Sequence, residues 1–245
     1  MSAFCRIILH FIFMTLSQTT RLTYLNAMGI SVWQSRFASN IALIEADVMP
    51  SESSIESTQI LKPDSWAQLR IDVSECKLCT LCTTRTQTVF GEGNVNANWL
   101  FIGEAPGENE DLQGKPFVGE AGKLLTEMLR AMSLTREDIF IANILKCRPP
   151  KNRDPHIDEI QQCRAYLNRQ IALVQPKIII AVGRIAAQTL LETTEKIGKL
   201  RGQVYMVENI PLIAIYHPSY LLRSLTEKRK AWQDLQFAMQ TFKSL

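Results

Sequence analysis

Apolar residues along this chain come in short unbroken runs, separated by longer stretches in which they recur every three or four positions. The runs "NWLFIG" (98–103), "DIFIANIL" (138–145), "PKIIIAVG" (176–183), "QVYMV" (203–207) and "PLIAIY" (211–216) are rich in Ile, Val, Leu and Phe and too short for helices, so they predict strands. Between them, "AGKLLTEMLRAM" (121–132), "IDEIQQCRAYLNRQIALV" (157–174), "RIAAQTLLET" (184–193) and the closing "EKRKAWQDLQFAMQTF" (227–242) carry helical spacing. Strands that are apolar on both sides, joined through helices, predict a parallel sheet covered on both faces. The expected fold class is therefore α/β, a three-layer sandwich with a central, mainly parallel sheet.

The first quarter of the chain has a different texture. Residues 21–38 suggest a short amphipathic helix and turn, and 45–62, "EADVMPSESSIESTQILKP" at its core, is rich in Ser, Glu and Pro and predicts a linker. The division expected is an N-terminal extension and linker over 1–62 and one compact domain over 63–245, beginning near Ser65. The apolar stretch in "MSAFCRIILHFIFMTLSQ" is interrupted by Arg6 and His10 and falls short of the ~20 residues a membrane-spanning helix needs, so the expectation is no membrane anchor and a cytoplasmic protein. With 245 residues, 46% hydrophobic, the chain can bury one good core. A net charge of +3 excludes little, because nucleic acid is bound by a local basic patch and not by the average.

Chemistry concentrates behind the strands. "GEAPGENEDLQGKPFVGEAG" (103–122) loads carboxylates between Gly and Pro residues that break helix and strand alike, and reads as a functional loop. In open parallel sheets ligands bind beyond the carboxyl ends of the strands. Those ends carry Glu104, Asn143, Arg184 and His217. Asn offers a donor beside an acceptor and can read a planar ring that presents a carbonyl next to an N–H, such as uracil. A histidine can donate to an oxygen that gains charge as a bond breaks, and a carboxylate can orient or deprotonate water. Phe117, in a loop with few apolar neighbours, is a candidate stacking platform. In "HPSYLLR", Ser219, Tyr220 and Arg223 suit phosphate contact, while Leu221 and Leu222 suit a wedge between bases or the start of a helix. "KCRPPKNRD" clusters Lys146, Arg148, Lys151 and Arg153, a local patch of the kind a nucleic acid wants.

Six cysteines stand at 5, 76, 79, 82, 147 and 163, three of them in "CKLCTLC". That density suits a metal or cluster nest better than disulfides. C-x-x-C at 76 and 79 needs partners from elsewhere. Cys147 and Cys163 are candidates and Cys82 a rival, and four thiolates suit tetrahedral zinc as well as a cubane iron–sulfur cluster.

At "GEAPGENE", "GKPFVG", "NILKCRPPKNRDP" and "HPSYLLR" the sequence resembles the family 4 uracil-DNA glycosylases, the bacterial and archaeal branch that carries a 4Fe-4S cluster; the likeness covers roughly 65–245 with the motifs in family order. It implies the uracil-DNA glycosylase-like sandwich and a DNA-repair hydrolase that excises uracil from DNA, most simply as a monomer. It implies cluster ligands at Cys76, Cys79, Cys147 and Cys163, leaving Cys82 spare. It further implies catalysis by Glu104, Asn143 and His217 and a uracil pocket of Gly103, Glu104, Ala105, Phe117 and Asn143; the DNA contacts expected from the residues themselves are Ser219, Arg223, Lys146 and Arg148. The expectation is release of free base without strand cleavage. The competing readings are a nucleic-acid-binding module without the chemistry, and a zinc protein using the same cysteines. Glu108, Glu110 and Asp111 carry no expected role beyond solvation.

Overall fold

Side chains alternate across a strand, so an unbroken apolar run gives a sheet both of whose faces must be covered. The computed structural model describes residues 65–245, and the expectations for the N-terminal extension lie outside them. The chain divides between Thr58 and Gln59, and the described residues belong to the second unit. Its strands are β1 (Glu92–Gly93), β2 (Trp99–Gly103), β3 (Ile139–Asn143), β4 (Ile178–Val182), β5 (Tyr205–Val207) and β6 (Ile210–Ile215). They form one sheet in the order β1-β3-β2-β4-β6-β5. The four inner strands run parallel, and the two short edge strands, β1 and β5, pair antiparallel with their neighbours.

The helices are α1 (Trp66–Ser74), α2 (Glu108–Gln113), α3 (Glu120–Ala131), α4 (Ile157–Val174), α5 (Arg184–Leu191), α6 (Ile197–Leu200), α7 (Pro218–Arg223) and α8 (Lys228–Lys243). One sheet face, with Leu100, Ile102, Phe140, Ile179 and Leu212, packs against α1, α4 and α5 through Leu69, Leu167, Ile171 and Ala187. The other, with Phe101, Ile139, Ile141, Ile180 and Ile213, packs against α3 and α8 through Leu125, Leu129 and Leu235. This is the three-layer sandwich expected from the alternation of runs. A buried ion pair, Arg201 Nε to Asp234 Oδ2 at 2.7 Å, fixes α8 to the segment after α6.

The loop after β2 departs from expectation, because it contains a helix. α2 forms where the carboxylates are densest. The breakers lie at its ends: Gly107 precedes it and Gly114, at φ 70°, closes it in the left-handed conformation that favours glycine. Glu108, Glu110 and Asp111 fall in its first turn, where the N-terminal end of a helix dipole favours negative charge. Among the described residues no helix is long and apolar enough to cross a membrane.

Ile180 lies fully buried at mid-sheet. Ile180→Ala should cost about 2–5 kcal/mol, seen as a clear fall in the thermal unfolding midpoint.

Candidate active site

Parallel pairing brings strand ends to one level. β2 and β3 are in register with Gly103 opposite Asn143, and the pairing continues past the strands as the Ile144 N–H donates to the Gly103 carbonyl (2.9 Å) and the Leu145 N–H to that of Glu104 (3.0 Å). Asn143 is buried, 2% exposed, and its Oδ1 has no hydrogen-bond partner among the described residues. An acceptor so placed asks for a donor from a ligand. A Cβ at Gly103 would overlap Asn143 Oδ1 and stand 2.7 Å from Phe117 Cζ, so only glycine leaves room between these side chains. The Phe117 ring lies 5.7 Å from that of His217, tilted by 30°.

His217 caps α7. Its Nδ1 accepts from the Ser219 backbone N–H (3.1 Å) and meets the Ser219 hydroxyl at 2.7 Å. With Nδ1 an acceptor, the ring proton belongs on Nε2. Burial, helped by nearby Arg223 and opposed by Glu110, pushes the His217 pKa down to about 4, so the ring is neutral near pH 7. Glu104 is shifted the other way: burial, with Asp154 adding to it and Arg184 opposing, raises its pKa to about 7. Arg184 itself is exposed and paired with Asp154 at 2.6 Å.

Phe117, expected to have few apolar neighbours, is instead 7% exposed and belongs to the core cluster of Leu125, Ile141 and Val182, and it has φ 53°, a conformation rare for an aromatic residue. Two charged side chains fix the backbone around it. Glu110 Oε1 accepts from the N–H groups of Val118 and Gly119, each at 2.9 Å. The Arg136 guanidinium donates to the carbonyls of Pro116 (2.7 Å) and Phe117 (3.2 Å), and pairs with Glu92 at 3.2 Å. Asp111, also expected to be solvated, is buried and accepts from the Thr86 N–H at 3.0 Å. Solvation of these acids is thus corrected for Glu110 and Asp111: both satisfy backbone donors of neighbouring loops. Only Glu108 stays exposed, 3.7 Å from Arg148.

The basic patch is also redistributed. Lys146 is 1% exposed and cannot touch DNA as expected; its ammonium group turns inward among hydrogen-bond acceptors. Arg153 is bound to the buried Glu159 (2.9 Å from NH1 to Oε2), and Arg148 Nε donates to Asn152 Oδ1 at 2.7 Å. Lys151 and Arg223 are exposed. Of the two candidate wedge residues Leu221 is buried and Leu222 is 41% exposed, which leaves Leu222 alone able to reach outward.

Cys76, Cys79, Cys147 and Cys163 line one apolar cavity, with Val73 and Tyr166 among its walls and without Cys82. Arg85 NH1 donates to Cys147 Sγ at 3.0 Å while its NH2 donates to the carbonyls of Ser74 (3.2 Å) and Cys76 (2.9 Å), fastening the two cysteine segments together. The Lys146 N–H donates to Cys163 Sγ at 3.3 Å. Burial raises the pKa of Cys147 to about 11 despite Arg85, and raises those of Cys79 and Cys163. Among the described residues no three His, Cys, Asp or Glu side chains close on a position for a single metal ion.

The fold is thus an α/β sandwich whose candidate site lies at the carboxyl edge of the parallel strands, with Asn143 and Phe117 both against Gly103, His217 beside Phe117, and Glu104 next along the loop. Residues 90–236 match the model of the uracil DNA glycosylase superfamily. The chain is 49% identical over 160 residues to the type-4 uracil-DNA glycosylase of Archaeoglobus fulgidus, covering 62% of this chain and 80% of that one. To the enzyme of the same name from Thermotoga maritima it is 41% identical over 170 residues, covering 68% and 88%. The chain therefore belongs to the uracil DNA glycosylase superfamily, in its type-4 branch.

In a proton NMR titration of the histidine rings, His217 should stay neutral down to about pH 4. A midpoint near the ordinary ~6.5 would contradict its burial.

Proposed function

We propose that this protein hydrolyses the N-glycosidic bond of uracil in DNA, releasing free uracil and leaving an abasic site, without cutting the strand. The observation that carries the reading is the buried Oδ1 of Asn143, which has no hydrogen-bond partner among the described residues and lies, like the Phe117 ring, against Gly103. It suits the N–H of uracil between two ring carbonyls, while the Phe117 face suits stacking on a base flipped out of the duplex. Gly103 and the backbone of Glu104 and Ala105 would complete the pocket. No lysine is among these residues, which supports a monofunctional hydrolase.

In the reaction the C1′–N1 bond breaks and its electron pair leaves with the base, while the oxygen of water bonds to the sugar carbon and the proton that water gives up ends on the released uracil. His217, neutral and protonated on Nε2, donates to the uracil oxygen that gains charge. Glu104 as carboxylate would orient the water or stabilise the cationic sugar. DNA would lie over exposed Arg223 and Lys151, with Ser219 and Arg148 as further phosphate contacts and Leu222 at the vacated base step; Ser219 also meets His217 Nδ1. The four cavity-lining cysteines fit a 4Fe-4S cluster. Four cysteines lining one apolar cavity suit a cluster held by thiolates, and Arg85 would offset their charge. When bound, the cluster would supply a structural crosslink between the segment before β1 and the sheet.

A uracil-containing oligonucleotide tests the activity: alkali should cleave it at uracil after incubation with the protein, and an intact strand would sink the reading. Asn143→Asp should lower the rate on uracil by on the order of 10²-fold or more while the unfolding midpoint holds, because the ring then meets two acceptors in place of an acceptor and a donor. Since Glu104 is protonated below its raised pKa and ionised above it, kcat/KM should climb through about pH 7. Glu104→Gln should abolish that climb and lower the rate on the order of 10²-fold. The purified protein should show the brown visible absorption of an iron–sulfur cluster; a colourless zinc protein would refute that part.

A further inference from the structure

Every residue from Ile139 to Cys147 is buried, and Lys146 sits in that stretch with 1% of its surface exposed. An amine taken out of water costs free energy unless its protons find acceptors. Here Nζ donates to the backbone carbonyl of Asn143 (2.8 Å) and to Gln170 Oε1 (2.5 Å). Gln170, itself buried on α4, is held by its Nε2 donating to the Phe90 carbonyl at 2.8 Å. The main chain of the same lysine faces the cysteines: its N–H donates to Cys163 Sγ (3.3 Å), and its carbonyl accepts from the Val89 N–H (2.8 Å).

We propose that Lys146 is a positioning residue for base recognition, a strut that sets Asn143 against α4 and the cysteine nest. One residue spans the two centres. Its amine binds the carbonyl of the residue whose Oδ1 faces the pocket, and its amide binds the sulfur of a residue in the nest. An apolar residue would fill the same core space more cheaply, but would leave the Asn143 carbonyl without this donor, and the segment joining Asn143 to Cys147 free to shift. The inference rests on the base-reading role proposed for Asn143.

The test is Lys146→Met in the cluster-loaded protein, which keeps most of the stem and removes the donors. Three quantities are read: the inhibition constant for free uracil, the affinity for DNA carrying an abasic-site analogue, and the visible absorption with iron per chain. The expected result is a uracil inhibition constant raised about tenfold, the scale of one charge-assisted hydrogen bond. Abasic-site affinity should hold within about twofold and the absorption should be unchanged. In an Asn143→Ala background Lys146→Met should add less than about twofold, because the lysine acts through that residue. An additive effect there, or equal loss of both affinities, would overturn the proposal. Should Lys146→Met not accumulate in loaded form, Gln170→Leu removes the anchor of the amine; it should raise the inhibition constant about threefold, and no change would overturn the proposal. Wild-type protein that uracil does not inhibit would count against the base-reading role itself, whereas an inhibited wild type matched by Lys146→Met would overturn only the strut.

Discussion

The register between β2 and β3 is the constraint on which the rest of the site depends. Gly103 faces Asn143 across a parallel pair, and two further backbone hydrogen bonds carry the pairing into the loops, tying Ile144 to Gly103 and Leu145 to Glu104. A slip of one residue would turn every side chain to the opposite face and send the Asn143 amide away from the pocket. The register is strongly specified because both sheet faces are buried: Leu100 and Phe101, or Phe140 and Ile141, cannot exchange sides without unpacking a helix layer.

A second regularity concerns charge. The buried or half-buried ionic groups around the site are bound mainly to backbone. Glu110 and Asp111 accept from loop amides, Arg136 and Arg85 donate to loop carbonyls, and Lys146 donates to the end of β3. Loops have no ladder of their own, so their exposed donors and acceptors must be met by side chains or water. Charged groups meet them with hydrogen bonds roughly twice as strong as neutral ones. The short, glycine-rich connections at the carboxyl edge are thereby tied down by hydrogen bonds of their own.

The layers were legible because they follow from periodicity, and so were the residues at strand ends, because topology alone sends them to one edge. Glu104, Asn143 and His217 needed only that rule, and the neutrality of His217 needed its surroundings as well. What the sequence concealed were residues whose type misstates their environment. Lys146 reads as surface because lysine prefers water, although the unbroken apolar run before it was a sign that the chain had not yet emerged. Glu110 and Asp111 read as solvated because their partners are amides of other loops, which leave no mark in a sequence. Arg136 lies in an ordinary polar turn between α3 and β3, and nothing in its neighbours announces the contact with Phe117. The helix in the loop is hidden by its own punctuation: the glycines that argue against a helix stand at its ends, Gly107 and Gly114.

The clamp on Phe117 has a thermodynamic meaning. An aromatic side chain on a mobile loop gives up much of its stacking free energy to pay for immobilising the backbone that carries it, so its affinity is smaller than the contact it makes. At Phe117 that entropy is lost once, on folding, and is offset there by four charge-assisted hydrogen bonds from Glu110 and Arg136. In the proposed reaction, a base stacking on Phe117 would meet a preorganised plane, and the attraction between the two faces would remain available for holding it.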